Sequence, residues 1–128
     1  MKNVTDQRPT VLVVEDEAII RMAAVDIVEH AGFEALEAPN ADAAIRILER
    51  RPDIRLVFTD VDMPGTMDGL KLAHYIRHQW PPILLMVTSG KSVIEEKALP
   101  DGARFFSKPY AERVIANTIR EMLEVGEV

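Results

Sequence analysis

Five short apolar runs, alternating with amphipathic or polar stretches, constrain this chain more than any other feature. They read TVLVVE (10–15), FEALEA (33–38), IRLVFTD (54–60), PILLMVTS (82–89) and RFFS (104–107). Runs of this length, bounded by turn residues, are the pattern of strands. After the first, Ile20, Ala24, Ile27, Val28 and Ala31 recur at helical spacing, and Gly32 stands where a left-handed C-terminal cap belongs. Asn40 is placed to cap a second helix with Ala41, Ala44, Ile45 and Leu48 inward. Asp68 is placed to cap a third with Gly69, Leu72, Ala73 and Ile76 inward. A last helix turns Ile115, Ile119 and Met122 inward and runs to about Leu123. The stretch KSVIEEKALPDGAR (91–104) breaks the pattern, because Pro100 lies inside it and only Val93, Ile94 and Leu99 offer apolar anchors. The helix between the fourth and fifth strands is therefore expected to be short or irregular.

Strand and helix in alternation predict an α/β fold, a doubly wound parallel sheet with helices on both faces. The 128 residues suit one domain over 1–128, with its core at about 10–124 and residues 1–8 disordered. A formal net charge of −6 argues against nucleic acid as a direct partner, since phosphate backbones are bound by clustered Lys and Arg. With no cysteine there is neither a disulfide framework nor a thiolate metal site, which fits a reducing compartment. MKNVTDQRPT lacks the apolar core of a signal peptide and no apolar stretch reaches membrane-span length, so a cytoplasmic location and no membrane partner are expected.

In sheets of this kind ligands sit at the carboxyl ends of the strands. Those ends carry Glu15-Asp16, Asp60, Thr88-Ser89 and Lys108-Pro109, which the fold would bring to one edge. Carboxylates so gathered repel one another unless a cation or a raised pKa relieves them. Mg²⁺ is a fitting relief, being held by one or two carboxylates together with phosphate oxygens. Lys108 and Thr88 then supply a charge and a hydroxyl for the remaining oxygens of a phosphoryl group. No histidine or cysteine nucleophile is in view, and carboxylates do form phosphoryl intermediates; Asp60 is the best placed acceptor. His74 and His78 stand four apart on the third helix, a spacing that could bind zinc, but no further His or Cys joins them, and with His30 they read as surface residues. Met22, Met86 and Met122 fall at core positions. Trp80 precedes the fourth strand and so belongs to the far end of the sheet.

VLVVEDE, FTDVDMPG, MVTSG and FFSKPY, in that order at successive strand ends, closely resemble the receiver domains of bacterial response regulators, single-domain chemotaxis regulators among them. The resemblance covers residues 10–124. It implies a flavodoxin-like sheet of strand order 2-1-3-4-5 and a phosphoprotein of a two-component phosphorelay, which accepts a phosphoryl group and loses it again without acting as a turnover enzyme. By resemblance Asp60 is the phosphoacceptor and Asp16 the main metal carboxylate. Glu15 acts beside it through water, and Asp62 completes the Mg²⁺ shell with its backbone carbonyl. Thr88 and Phe105 resemble the switch pair and Lys108 the phosphoryl-binding lysine, with a cis peptide to Pro109. The implied partners are a sensor histidine kinase or phosphotransfer protein, and a downstream protein, or a second copy of the chain, that reads residues 89–106 with the last helix.

Departures from the common pattern stand beside these matches. Glu15 occupies a place where aspartate is commoner, Asp62 adds a carboxylate where receivers vary, the loop from Met63 to Asp68 is one residue longer, and residues 91–104 are a little shorter. Two other classes remain to be weighed. Aspartate-nucleophile phosphatases of the haloacid dehalogenase type also place Asp-x-Asp after an apolar strand, but on the first strand and followed by Gly-Thr rather than Met-Pro-Gly. A flavin carrier of the same fold would need a hydroxyl- and glycine-rich loop after the first strand, where this chain has EDEAI.

Overall fold

A computed structural model of the chain describes residues 8–65, 67–91 and 93–124. Strands β1 (Thr10–Val14), β2 (Glu34–Ala38), β3 (Ile54–Asp60), β4 (Leu84–Ser89) and β5 (Arg104–Ser107) alternate with helices α1 (Ala18–His30), α2 (Ala41–Arg50), α3 (Gly69–Gln79) and α4 (Glu112–Glu124). All strand pairs are parallel and the order is β2-β1-β3-β4-β5. The expected doubly wound sheet is present. The expectation of disorder over residues 1–8 falls almost wholly outside the described residues; from Pro9 the chain is already tied in, its carbonyl accepting from Glu34 N at 3.1 Å.

Two apolar layers sandwich the sheet. On one face α2 and α3 set Ala41, Ala44, Leu48, Leu72, Ala73 and Ile76 against Leu12, Val14, Val57, Leu85 and Val87. On the other, α1 and α4 set Ala24, Ile27, Val28, Ile115, Ile119 and Leu123 against Val11, Val13, Leu56, Phe58 and Met86. Strand alternation divides each run between the two layers, which is why the strands of a sheet covered on both sides read as unbroken apolar runs. The caps fall as the sequence indicates: Asn40 Oδ1 accepts from Ala43 N at 2.8 Å and Asp68 Oδ1 from Lys71 N at 2.9 Å. Gly32, just past α1, has φ +105°, a conformation other residues reach only with strain.

Among the described residues, the crossover from β4 to β5 carries no α-helix, only a single 3₁₀ turn at Glu96–Ala98. Ile94, Leu99, Ala103 and Phe105 pack on the first apolar layer in place of a helix. Val93, expected as an anchor, is instead 82% exposed, because one extended residue cannot reach a layer already closed by its neighbours. Side chains of α3 hold this crossover by its backbone: His74 Nε2 lies 2.8 Å from Ala98 O, and Arg77 Nη2 donates to Asp101 O at 2.8 Å. Met86 is fully buried and Met122 partly so, but Met22 is 62% exposed. It lies on the outer face of α1, whose inward face is already filled by Ala24, Ile27 and Val28. No helix among the described residues is long and apolar enough to cross a membrane.

Candidate functional site

Parallel strands deliver their last residues to one edge, so the expected set does meet. Asp60 closes β3 directly opposite Thr88 near the end of β4, and Glu15 follows β1, its amide donating to Ala38 O at 3.1 Å. Glu15, Asp16 and Asp60 can each offer a carboxylate oxygen such that all three lie within 4.8 Å of one another. From the far side Lys108 brings Nζ to 3.1 Å from Glu15 Oε1 and 3.2 Å from Asp60 Oδ1. Its own amide donates to Ser89 O at 2.9 Å, and its bond to Pro109 is cis.

Burial sets the electrostatics. Asp60 is 3% exposed, and its Oδ1 has no hydrogen-bond partner among the described residues, the Lys108 contact being an ion pair. Burial pushes its carboxyl above the ordinary carboxylate range, and the Lys108 charge only partly offsets this. Glu15 is raised for the same reason, with Asp60 adding repulsion and the Glu17 amide, donating at 3.1 Å, opposing it. Burial alone would lower Lys108, yet its bond to Glu15 and the charges of Asp60 and Glu15 prevail and hold it above the usual lysine value. One cation therefore faces three carboxylates. That deficit of positive charge, and the orphaned oxygen of Asp60, suit a divalent cation bound by oxygen ligands.

Asp62 is brought to the same edge, but its side chain turns aside: Oδ2 accepts from Ser89 Oγ at 2.8 Å and Gly90 N at 3.1 Å. Burial would raise its carboxyl, but these bonds and the neighbouring Lys91 bring it below the ordinary value. Phe105 is partly buried beside Val87 on β4 and away from the carboxylates.

Four neighbours escaped the sequence reading. Ser89, named in the sequence only beside Thr88 and given no role, grips Asp62. Arg21 donates from Nη1 to Glu15 O at 2.9 Å and pairs with Glu37 Oε1 at 2.9 Å; its place one helical turn past Glu17 was the only signal. Gly69 opens α3 so close to β3 that a Cβ there would stand 1.7 Å from Asp60 O. Tyr110 stacks at a tilt on Phe58, ring centres 5.9 Å apart, and closes the floor beneath Asp60. Burial there holds its hydroxyl above the usual tyrosine value. Of the histidines, all three are exposed and none joins a metal-binding cluster among the described residues.

The family model described as the response regulator receiver domain matches residues 11–120. The chain is 35% identical over 119 residues to sensor kinase CckA of Brucella abortus, covering 90% of this chain and 12% of that protein. It is 36% identical over 112 residues to response regulator protein FleR of Pseudomonas aeruginosa, covering 85% and 23%. It thus spans less than a quarter of either relative's length. Among solved structures, the receiver domain of NtrX from Brucella abortus is similar at 34% identity and a TM-score of 0.81, over 90% of this chain and 98% of that one. The receiver domain from the hybrid histidine kinase CckA gives 30% and 0.76, over 89% and 98%. These matches lend no support to a haloacid dehalogenase-type phosphatase, and the acidic pair begins at the end of the central strand, its second carboxylate lying just past it and turned to Ser89.

Proposed function

We propose, from the premise that the chain belongs to the response regulator receiver domain family and is a phosphorylatable receiver of two-component signalling, that Asp60 is the residue on which it takes the phosphoryl group. The observation that carries this is a carboxylate at the end of the central strand, buried and without a hydrogen bond on Oδ1, with Lys108 Nζ 3.2 Å away. Receiver domains interact with histidine kinases or phosphotransfer proteins, and the donor here is a phosphohistidine. Asp60 attacks phosphorus, an O–P bond forms as the P–N bond breaks, and the imidazole leaves with a proton. Lys108 moves its charge from the carboxylates to the oxygens of the incoming group, and the Thr88 hydroxyl donates to another. Glu15, Asp16, Asp60 and the Asp62 carbonyl would hold Mg²⁺, which when bound neutralises charge shared by the carboxylates and the phosphoryl oxygens. Receiver domains in general are acceptors rather than turnover enzymes, and the same is proposed here, with slow self-hydrolysis as the only further reaction.

The output is read from the resemblance of Thr88 and Phe105 to the family's switch pair. Thr88 drawn toward the phosphoryl group leaves space beside β4 into which Phe105 turns, and the crossover over residues 89–106 with α4 then presents a changed surface to a downstream protein or a second copy. Asp60→Asn should abolish acid-labile labelling by a small acyl phosphate with Mg²⁺ while the fold persists. Undiminished labelling of that variant would remove Asp60 from its role, and many turnovers of a phosphomonoester would replace the receiver reading by an enzymatic one.

A further inference from the structure

The loop after the acceptor and the helix-free crossover meet at one corner, Ser89-Gly90. Asp62 Oδ2 holds it from one side, taking Ser89 Oγ at 2.8 Å and Gly90 N at 3.1 Å. Ser89 Oγ in turn accepts from Lys91 N at 3.3 Å, the first residue of the crossover beyond the corner. On the other side Ser89 O receives the Lys108 amide at 2.9 Å, and a Cβ on Gly90 would rest 3.5 Å from the Lys108 Cβ. The corner therefore touches the acceptor loop, the phosphoryl-binding lysine and the crossover at once. The carboxylate that grips it lies two residues past Asp60 in the chain.

We infer that Asp62 is a positioning residue whose side chain ties the acceptor loop to the Ser89-Gly90 corner, so that phosphorylation reaches the crossover by a second route beside Thr88. The inference rests on the reading of Asp60 as the acceptor. Its physical basis is that a carboxylate engaged by the Ser89 hydroxyl and the Gly90 amide is committed to structure rather than to acid–base work. A phosphoryl group brings about −1.5 to −2 of charge to Asp60. The acceptor loop must shift to accommodate that group, and because Asp62 Oδ2 is bonded to Ser89 Oγ and Gly90 N the shift is delivered to Gly90 and Lys91 instead of being lost in a free side-chain rotation. Farther along, the crossover is gripped by His74 and Arg77 at Ala98 O and Asp101 O. Displacement at the corner is thus expected to load the stretch between these two grips.

The test is amide exchange over residues 93–103 of the full chain, with and without beryllofluoride and Mg²⁺, in the unaltered protein and in Asp62→Ala, Asp62→Asn and Ser89→Ala. The mimic should change exchange in the unaltered protein. Asp62→Ala and Ser89→Ala should lose most of that change, and should open Gly90 and Lys91 about tenfold more often before any mimic is added, the factor one hydrogen bond to a charged group is worth. Asp62→Asn, whose amide oxygen can still accept both bonds, should keep the response. An asparagine variant as defective as the alanine one would make the role one of charge, and overturn the tie. So would an alanine variant that responds fully, or an unaltered protein that is labelled on Asp60 yet shows no response. If the unaltered protein takes no label at all, the acceptor reading falls instead, which acid-labile labelling of each variant reports separately.

Discussion

The two ends of β3 use aspartate in opposite ways. Asp53, just before the strand, lies open to solvent and takes Arg51 Nε at 2.8 Å, Arg51 Nη2 at 2.6 Å and Thr10 Oγ1 at 3.4 Å. Its carboxyl sits below the ordinary value, chiefly through the Arg51 hydrogen bonds. Asp60, the strand's last residue, is buried, with no hydrogen bond on Oδ1, and is raised chiefly by burial. The lesson is that folding stability is served at one end and forgone at the other. A carboxylate kept short of partners is one poised to gain them from a ligand.

The sharpest break in that comparison is steric. Gly69→Ala would press a Cβ to 1.7 Å from the Asp60 carbonyl and 2.8 Å from Val61 Cα, so α3 must move off the acceptor strand. We expect a loss of about 3 kcal/mol or more. At the opposite end Gly102→Ala meets nothing nearer than Arg77 Nη2 at 3.8 Å, and its φ of +81° alone should cost about 1 to 2 kcal/mol. Denaturant unfolding checks both, and equal losses would erase the distinction. Next comes Arg77→Met, which removes donors from Pro81 O, Ile83 O and Asp101 O. A loss of about 2 kcal/mol is expected, with faster amide exchange at 99–103 and unaltered labelling of Asp60.

The smallest effects concern pH, and their signs oppose. The folded Asp60 carboxyl, being raised, binds its proton more tightly than the unfolded one does. Its contribution is therefore full below the ordinary carboxyl value and lost as pH rises through the raised one. Metal-free Asp60→Asn should accordingly melt higher than the unaltered protein near neutral pH, and rise less on acidification. Asp53 runs the other way: its contribution is full above the ordinary aspartate value and lost as pH falls through the depressed one. Asp53→Asn should cost less than about 1 kcal/mol near neutral pH, as an exposed pair does. Melting curves across the acid range read both slopes, and parallel slopes for the two variants would contradict the comparison.

What could be read from the chain follows the same division. β3 was legible to the residue because five of the seven residues from Ile54 to Asp60 are apolar or β-branched and the turn after them is marked by Pro64-Gly65. The irregular crossover was legible from Pro100 and the scarcity of apolar residues before it. The acidic edge was legible because strand ends converge in any parallel sheet. Less legible were features decided by three-dimensional competition. Met22 looked like core until the inner face of α1 was seen to be full. Ser89 looked idle because its partner, Asp62, lies 27 positions earlier in the sequence. The Asp53 contact with Thr10 depends on β1 and β3 starting side by side, a register that neither run announces.

The central claim is that the end of β3 is where phosphorus is bound covalently. An aspartyl phosphate is an acyl phosphate, so borohydride reduces the modified residue to homoserine, and peptide mass mapping locates it. Treating the unaltered chain with a small acyl phosphate and Mg²⁺ before reduction should place homoserine at position 60 and nowhere else. Homoserine at position 16 or 62, or acid-labile label that leaves position 60 as aspartate, would contradict the account.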